Sequence, residues 1–347
     1  MRAARFIEPG QVRLDEVDDP VIEKPGDAII RIVRACVCGS DLWWFRGLSK
    51  RQPGTLVGHE AIGVVEAVGQ QVTHIHEEDF VIAPFTHGCG HCPACVAGFD
   101  GNCMNQEPGG NGGYQGERLR FSNADWALIK IPGAPADYSD GMLNSLLTLA
   151  DVMATGYHAA VTAEVSRGDT VVVFGDGAVG LCGVIAAKLR GAERIIAMSR
   201  HADRQALARE FGATDILPQR GDEAVEAIRA LSDGAGADAV LECVGSEQSV
   251  ASALGAAKPG AVVGRVGVPQ DSTVNTAGLF WRNVGVRGGV AAVTSYDKAQ
   301  LLDAVLDGRI QPGKVFTQRF DLEHIQQAYE AMDQRKAVKS LLVVSDE

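Results

Sequence analysis

The chain has 347 residues, room for two domains of ordinary size, and is 46% hydrophobic and 22% charged, as a globular protein is. Its formal net charge of −12 argues against a nucleic-acid partner or an anionic membrane surface, both of which call for basic patches. No window approaches ~20 uninterrupted apolar residues, so no membrane span is expected.

The first residues, MRAARFIEPGQVRLDEV, lack the apolar centre of a signal peptide. The eight cysteines are therefore expected as thiols or metal ligands rather than disulfides, in a cytoplasmic protein. Up to about residue 150 the chain shows short β-like runs between Gly and Pro: DAIIRIVRA, AIGVVEAVG, DFVIAPF and DWALIKIP. They read as the strands of a β-rich domain. The stretch ACVCGSDLWWF (35–45) interrupts them with two cysteines one residue apart, a serine, an aspartate and two tryptophans.

Residues 89–103, CGHCPACVAGFDGNC, place Cys89, Cys92, Cys95 and Cys103 in the spacing C-x₂-C-x₂-C-x₇-C. Four thiolates so close together match a closed tetrahedral zinc site with no open coordination position, hence a structural one. Iron–sulfur clusters use similar runs and are the rival reading. His87 and His91 are read as surface residues, since four cysteines already complete the shell.

After residue 150 strands and helices alternate. DTVVVFG is followed by the helix-length AVGLCGVIAAKLRGA, RIIAMS by the amphipathic ADRQALAREFGA, and ADAVLECVG and AVVGRVGV flank SVASALGAAKPG. This alternation implies a doubly wound parallel sheet of the α/β class. From about Ala292 the chain reads as helical (SYDKAQLLDAVLDG), then ends in SLLVVS, a strand expected to return to the first domain.

Gly175, Gly177 and Gly180, with Ala178 and Val179 between the last two, form G-x-G-x-x-G between the first of these strands and its helix. In that setting the motif is a dinucleotide fingerprint: a tight turn, close backbone approach to a pyrophosphate, and tight helix–strand packing at the helix N-terminus. Asp176 is out of place beside a pyrophosphate and must point away. NAD-binding chains carry an acid about 20 residues on, at the end of the second strand. Here that strand ends in Ser199, Arg200 and His201, with Arg204 close behind. A hydroxyl followed by guanidinium groups suits a 2′-phosphate, so NADP(H) is the expected cofactor.

Taken together, Cys38-Gly-Ser40-Asp41, Gly58-His59-Glu60, the four-cysteine lobe, Leu149-Ala-Asp151 with Thr155-Gly156-Tyr157-His158, and the glycine fingerprint resemble the zinc-dependent medium-chain alcohol dehydrogenases. The resemblance covers nearly the whole chain. It implies a GroES-like catalytic domain built from residues 1–150 and 293–347, with a Rossmann domain, 151–292, inserted. It implies a catalytic zinc held by Cys38, His59 and Asp151, a second zinc in the lobe, Glu60 as an occasional visitor to the metal, and Asp41 as the residue orienting His59. Ser40 matches the hydroxyl that takes the alcohol proton. Gly267, Val268, Gly289 and Val290 match segments that line the nicotinamide. Relatives often carry a relay histidine where this chain has Trp43. The tryptophans are read either as packing or as walls of the substrate pocket. Cys36, Cys182 and Cys243 are read as buried packing thiols.

The resemblance implies an enzyme acting on a small alcohol or carbonyl compound, as a homodimer or homotetramer, with NTAGLFWRNVGVRGGV as a candidate pairing edge. Two other readings stay open at this point: an NAD-linked polyol, threonine or formaldehyde dehydrogenase type, and a non-catalytic protein that binds zinc and nucleotide.

Overall fold

The computed structural model describes residues 1–106, 112–270 and 273–345. The chain divides into two compact units, Met1–Asp151 with Ala292–Glu347, and Val152–Ala291. In the first unit, the hairpin β1 (Arg2–Glu8) and β2 (Gln11–Glu16) precedes β3 (Ala28–Cys36), β4 (Ala61–Val68), β5 (Phe80–Ala83), β6 (Arg118–Phe121) and β7 (Ile129–Ile131). The second unit holds β8 (Thr170–Phe174), β9 (Arg194–Met198), β10 (Asp215–Leu217), β11 (Ala237–Glu242), β12 (Ala257–Arg265) and β13 (Gly285–Gly288). The chain then returns with β14 (Phe316–Asp321) and β15 (Lys339–Val343).

The first unit is organised by β3, buried over almost its whole length because other elements cover both of its faces. It pairs antiparallel with β4, β6 and β15, so the expected return of the C-terminal strand is what the sheet contains. Ile30, Ile32, Val65, Val81 and Tyr329 pack into its core. Each such apolar side chain contributes about 1.5–3 kcal/mol on burial.

The second unit is a six-stranded parallel sheet in the order β10-β9-β8-β11-β12-β13, the doubly wound arrangement the alternating pattern implies. Its central strands are Val-rich and buried on both faces. On one face, the helices Val152–Thr162 and Ala178–Leu189 approach so closely that a Cβ on Gly156 would lie 2.6 Å from the backbone N of Gly183. Helix packing therefore explains the glycine of the Thr-Gly-Tyr-His run.

Several sequence readings need correction. DWALIKIP is not one strand: Asn123 takes a left-handed conformation (φ 54°) and starts a helical turn, Ala124–Ala127, before β7. β10 has only three half-buried residues, too short a run to carry a periodic signal. The helix Gly221–Leu231 is amphipathic, with Ala224 and Ile228 four residues apart on its buried face, and belongs to the alternation although the reading passed over it, whereas the strand β13 was not legible as an element. The helical segment after Ala292 exists, but residues Asp297–Leu301 form a π-turn within it. Among the described residues no helix is long and apolar enough to cross a membrane.

Candidate metal centre and dinucleotide loop

Three loops of the first unit bring four ligand-type side chains together. Cys38 follows β3, His59 and Glu60 precede β4, and Asp151 ends the segment after the helix Asp140–Thr148. The ligand atoms of Cys38, His59, Glu60 and Asp151 all lie within 4.8 Å of one another. Sγ of Cys38 and Nε2 of His59 each stand 3.6 Å from Oδ2 of Asp151. Gly58 makes the approach possible. Its φ is 92°, and a Cβ there would press to 2.5 Å on the buried Gln115. Gln115 in turn holds the Cys36 carbonyl and accepts from the Tyr329 hydroxyl.

The electrostatics suit a divalent cation. Burial opposes an imidazolium at His59, yet Asp41 and Cys38 outweigh it and hold the ring's pKa well above its ordinary value. The negative charge that would keep that proton is the charge a cation neutralises. Burial likewise pushes the Cys38 thiol up. Glu60 is wholly buried: Lys339 occupies its Oε1 at 2.7 Å, while Oε2, on a carboxylate beside His59, has no hydrogen-bond partner. A thiol, an imidazole and two carboxylates around one point, one oxygen still unsatisfied, fit Zn²⁺.

Asp41 sits in the short helix Asp41–Phe45, buried, with one oxygen 3.5 Å from Nδ1 of His59 and the other accepting from the Cys38 backbone N–H at 3.1 Å. Burial alone would raise its pKa. His59 and the Cys38 N–H outweigh that and hold it below the ordinary carboxylate value. Engaging Nδ1 leaves Nε2 of His59 to face Asp151 and Glu60. Ser40 is the helix N-cap, and its hydroxyl makes no capping bond.

In the lobe, the four cysteine sulfurs also lie within 4.8 Å of one another, with Cys92 and Cys103 4.0 Å apart. Tetrahedral coordination at a Zn–S distance of about 2.3 Å sets sulfurs about 3.8 Å apart, so the spacing fits a single ion. A multi-iron cluster would interpose its own sulfides and hold its cysteines farther apart. Backbone N–H groups point at the sulfurs: Cys89 and Asn105 donate to Cys103, and Met104 to Cys92. The N–H groups of Cys95 and Met104 bring the Cys92 thiol down to about 6.

His91 is exposed, as read from the sequence. His87 is not. It is buried and stacked on Phe121 at 3.9 Å, with Ser122 on Nδ1 (2.8 Å) and Tyr114 on Nε2 (2.7 Å). The Tyr114 hydroxyl donates to the Pro84 carbonyl, so the network assigns the proton of a neutral His87 to Nε2.

In the second unit, the fingerprint sits at the C-terminal end of β8. Gly177 caps the helix Ala178–Leu189. Gly175 has φ 117°, and a Cβ on Gly180 would stand 1.9 Å from the Gly175 carbonyl, so no larger residue fits. A Cβ on Gly177 would meet nothing, leaving room for a ligand's phosphates at the helix N-terminus. The Asp176 carboxylate does point away from that end. It accepts from the Ser199 hydroxyl at 2.8 Å and from Arg204 at 3.3 Å, at the tip of β9. Val268 and Val290 are exposed beyond the C-terminal ends of β12 and β13, where ligands bind open parallel sheets. Gly289 lies between β13 and Val290 in a left-handed turn, and Gly267 stands against Gly245.

Comparison with known proteins decides the family. The alcohol dehydrogenase GroES-like domain matches residues 24–133, and the zinc-binding dehydrogenase domain matches residues 178–307. Zinc-type alcohol dehydrogenase B of Aspergillus flavus is 32% identical over 98% of this chain and 80% of its own length. The chain belongs to the zinc-dependent alcohol dehydrogenase family. A solved alcohol dehydrogenase from Thermus sp. ATN1 superposes with a TM-score of 0.89 at 32% identity, covering 99% of this chain and 100% of that one. The NADP-dependent isopropanol dehydrogenase of Clostridium beijerinckii is 30% identical over 87% of this chain and 88% of its own.

Sequence reading of this dehydrogenase missed three residues around the sites. Lys339 lies 279 positions from its partner Glu60 and reaches it only through β15 pairing on β3. Glu242, buried at the end of β11, accepts from the N–H groups of Val244 and Gly245 and from Ser249, fixing the loop that meets Gly267. Arg220 stands near Arg200 and Asp176. None carries a local motif. The tryptophans separate cleanly: Trp44 is core, packed on Phe6 at 5.2 Å and Tyr329 at 5.3 Å, whereas Trp43 is half-buried.

Proposed function

We propose that this zinc-dependent oxidoreductase interconverts an alcohol and its aldehyde or ketone with NADP(H), using one zinc ion at Cys38, His59 and Asp151 and a second, structural one in the cysteine lobe. The observation that carries the reading is the convergence of Cys38, His59, Glu60 and Asp151 within 4.8 Å, in a chain that also holds a dinucleotide fingerprint. When bound, zinc lowers the pKa of an alcohol at its open position, and the nicotinamide takes the hydride. With the ion bound, a Cys38 thiolate and the Asp151 carboxylate would balance its two positive charges. Asp41 fixes the ring of His59, and Lys339 holds Glu60 by one oxygen while leaving the other free. Ser40 would take the alcohol proton as its own hydroxyl proton passes on to water or to a ribose hydroxyl of the cofactor. Trp43 cannot relay it onward, so the proton leaves by another route, and the indole instead lines the substrate pocket.

Ser199, Arg200 and Arg204 support the preference for a 2′-phosphate, with Arg220 adding a further cation beside them. The Clostridium relative, named as NADP-dependent, agrees with this assignment. A homo-oligomer, dimer or tetramer, is also part of the reading. β13 is an edge strand, and the neighbouring Phe280 and Trp281 are 72% and 81% exposed. Size-exclusion chromatography with light scattering tests it: a monomer at working concentration rejects the oligomer.

The test of the main reading is absorbance at 340 nm over a panel of alcohols, aldehydes and ketones, run with both cofactors on zinc-loaded protein. Turnover with NADP(H) and a lower KM for it than for NAD(H) is the expected result. A preference for NAD(H) overturns the cofactor assignment. No turnover on any substrate, with zinc and cofactor both bound, makes the chain a non-catalytic zinc and nucleotide binder.

A further inference from the structure

The end of β9 lacks the acid that a ribose 2′-hydroxyl would use, yet an acid stands there. Asp176 delivers its carboxylate from inside the fingerprint, 23 residues earlier, to the Ser199 hydroxyl at 2.8 Å. Nη1 of Arg204 reaches both its carbonyl and its Oδ1 at 3.3 Å. Ser199 is fully buried, and the Arg204 and Asp176 side chains are mostly so. Two of the groups that would receive a 2′-phosphate are therefore already engaged by an anion built into the protein. Arg200 is exposed beside this cluster, and Arg220 feels the charges of both Arg200 and Asp176. The pocket thus offers three guanidinium groups and one carboxylate.

We propose that Asp176 sets the cofactor selectivity of this chain: its carboxylate competes with a 2′-phosphate for Ser199 and Arg204, and offers an acceptor to a 2′-hydroxyl instead. The inference rests on the reading that Ser199, Arg200 and Arg204 form the 2′ subsite. Its physical basis is simple. A phosphate entering the cluster must displace a carboxylate from its partners and then sit beside it. Like charges placed together cost affinity, so the acid limits how strongly the arginines can favour the phosphorylated cofactor. A 2′-hydroxyl meets no such repulsion and can donate to Asp176. The pocket then tolerates both nicotinamide cofactors while still leaning toward NADP(H), by less than its arginines alone would give.

The test measures binding rather than turnover. Isothermal titration gives the affinity of adenosine 2′,5′-bisphosphate and of adenosine 5′-monophosphate for the full-length zinc-loaded protein, its Asp176→Asn variant and its Asp176→Ala variant. The ratio of the two affinities is the readout. Removing the charge is expected to raise the preference for the bisphosphate by about tenfold or more. Either variant suffices if the other fails to fold. An unchanged or lower preference overturns the proposal, because it would make Asp176 a scaffold for Ser199 and Arg204. Failure of the underlying subsite reading looks different. There the wild-type protein shows no preference for the bisphosphate and Arg200→Ala changes nothing, whatever Asp176→Asn does.

Discussion

Nζ of Lys339 donates to Oε1 of Glu60 at 2.7 Å, and both side chains are inaccessible to solvent. Nζ also donates to the Val37 carbonyl at 3.2 Å, so the C-terminal strand clamps the loops that carry Cys38 and His59. Burial works against the ammonium, but Cys36 and Glu60 hold its pKa well above the ordinary lysine value. Removing one member of a buried ion pair strands the other. Lys339→Met is expected to cost about 3–5 kcal/mol of unfolding free energy, measured by urea denaturation. The double variant Lys339→Met, Glu60→Gln should recover much of that loss. If the single variant is as stable as wild type, the pair is not what holds this corner.

Asp41 touches His59 and the Cys38 N–H but stands outside the converging ligand group itself. Asp41→Asn should weaken zinc binding at the Cys38–His59–Asp151 site about 10–100-fold while leaving the lobe's ion in place. Competition with a chromophoric chelator reads this directly. Equal affinity in the two proteins would remove Asp41 from the site.

The lobe predicts a different outcome. Cys103→Ser removes one of four sulfurs and two N–H···S bonds. Elemental analysis should find about one zinc per chain instead of about two, and the thermal midpoint should fall, because a structural site couples metal binding to folding. Retention of both ions would refute a four-thiolate site.

His87 gives a pH dependence with a definite sign. Burial lowers its pKa from 6.5 to about 3. Below pH 6.5 the unfolded chain takes up a proton that the folded chain refuses until about pH 3. Stability from this residue is thus fully present above pH 6.5 and is lost as pH falls through that window, by at most about 5 kcal/mol. Urea denaturation between pH 7 and pH 5 should show a steeper loss in wild type than in His87→Gln. Parallel slopes would mean that His87 is charged in the fold.

The two adjacent tryptophans should part company. Trp44→Ala empties a site among Phe6, Phe45 and Tyr329 and is expected to cost about 3–5 kcal/mol. Trp43→Ala, at a half-buried position, should cost far less but shift relative kcat/KM across an alcohol panel. An unchanged substrate profile would make Trp43 another packing residue.

The sequence by itself determined what depends on neighbours along the chain. Strand and helix alternation specified the parallel sheet, because side-chain periodicity is set locally by backbone geometry. The four cysteines and the glycine fingerprint were legible for the same reason: the ligands lie in one short segment, residues 89–103, and the turn in another, residues 175–180. Cys38, His59 and Asp151 were legible only through resemblance, since their spacing in the chain says nothing of their 3.6 Å approach. Tertiary structure alone decided the rest. It buried His87 against Phe121 where the sequence reading placed it at the surface, and it brought Lys339 to Glu60 through a strand pairing. It also turned Asp176 from an anomaly in a phosphate loop into a carboxylate at the end of β9. Each of these is a buried or largely buried polar group whose partner is chosen by where the sheets place it, because a polar atom removed from water must find its hydrogen bond wherever the fold supplies one.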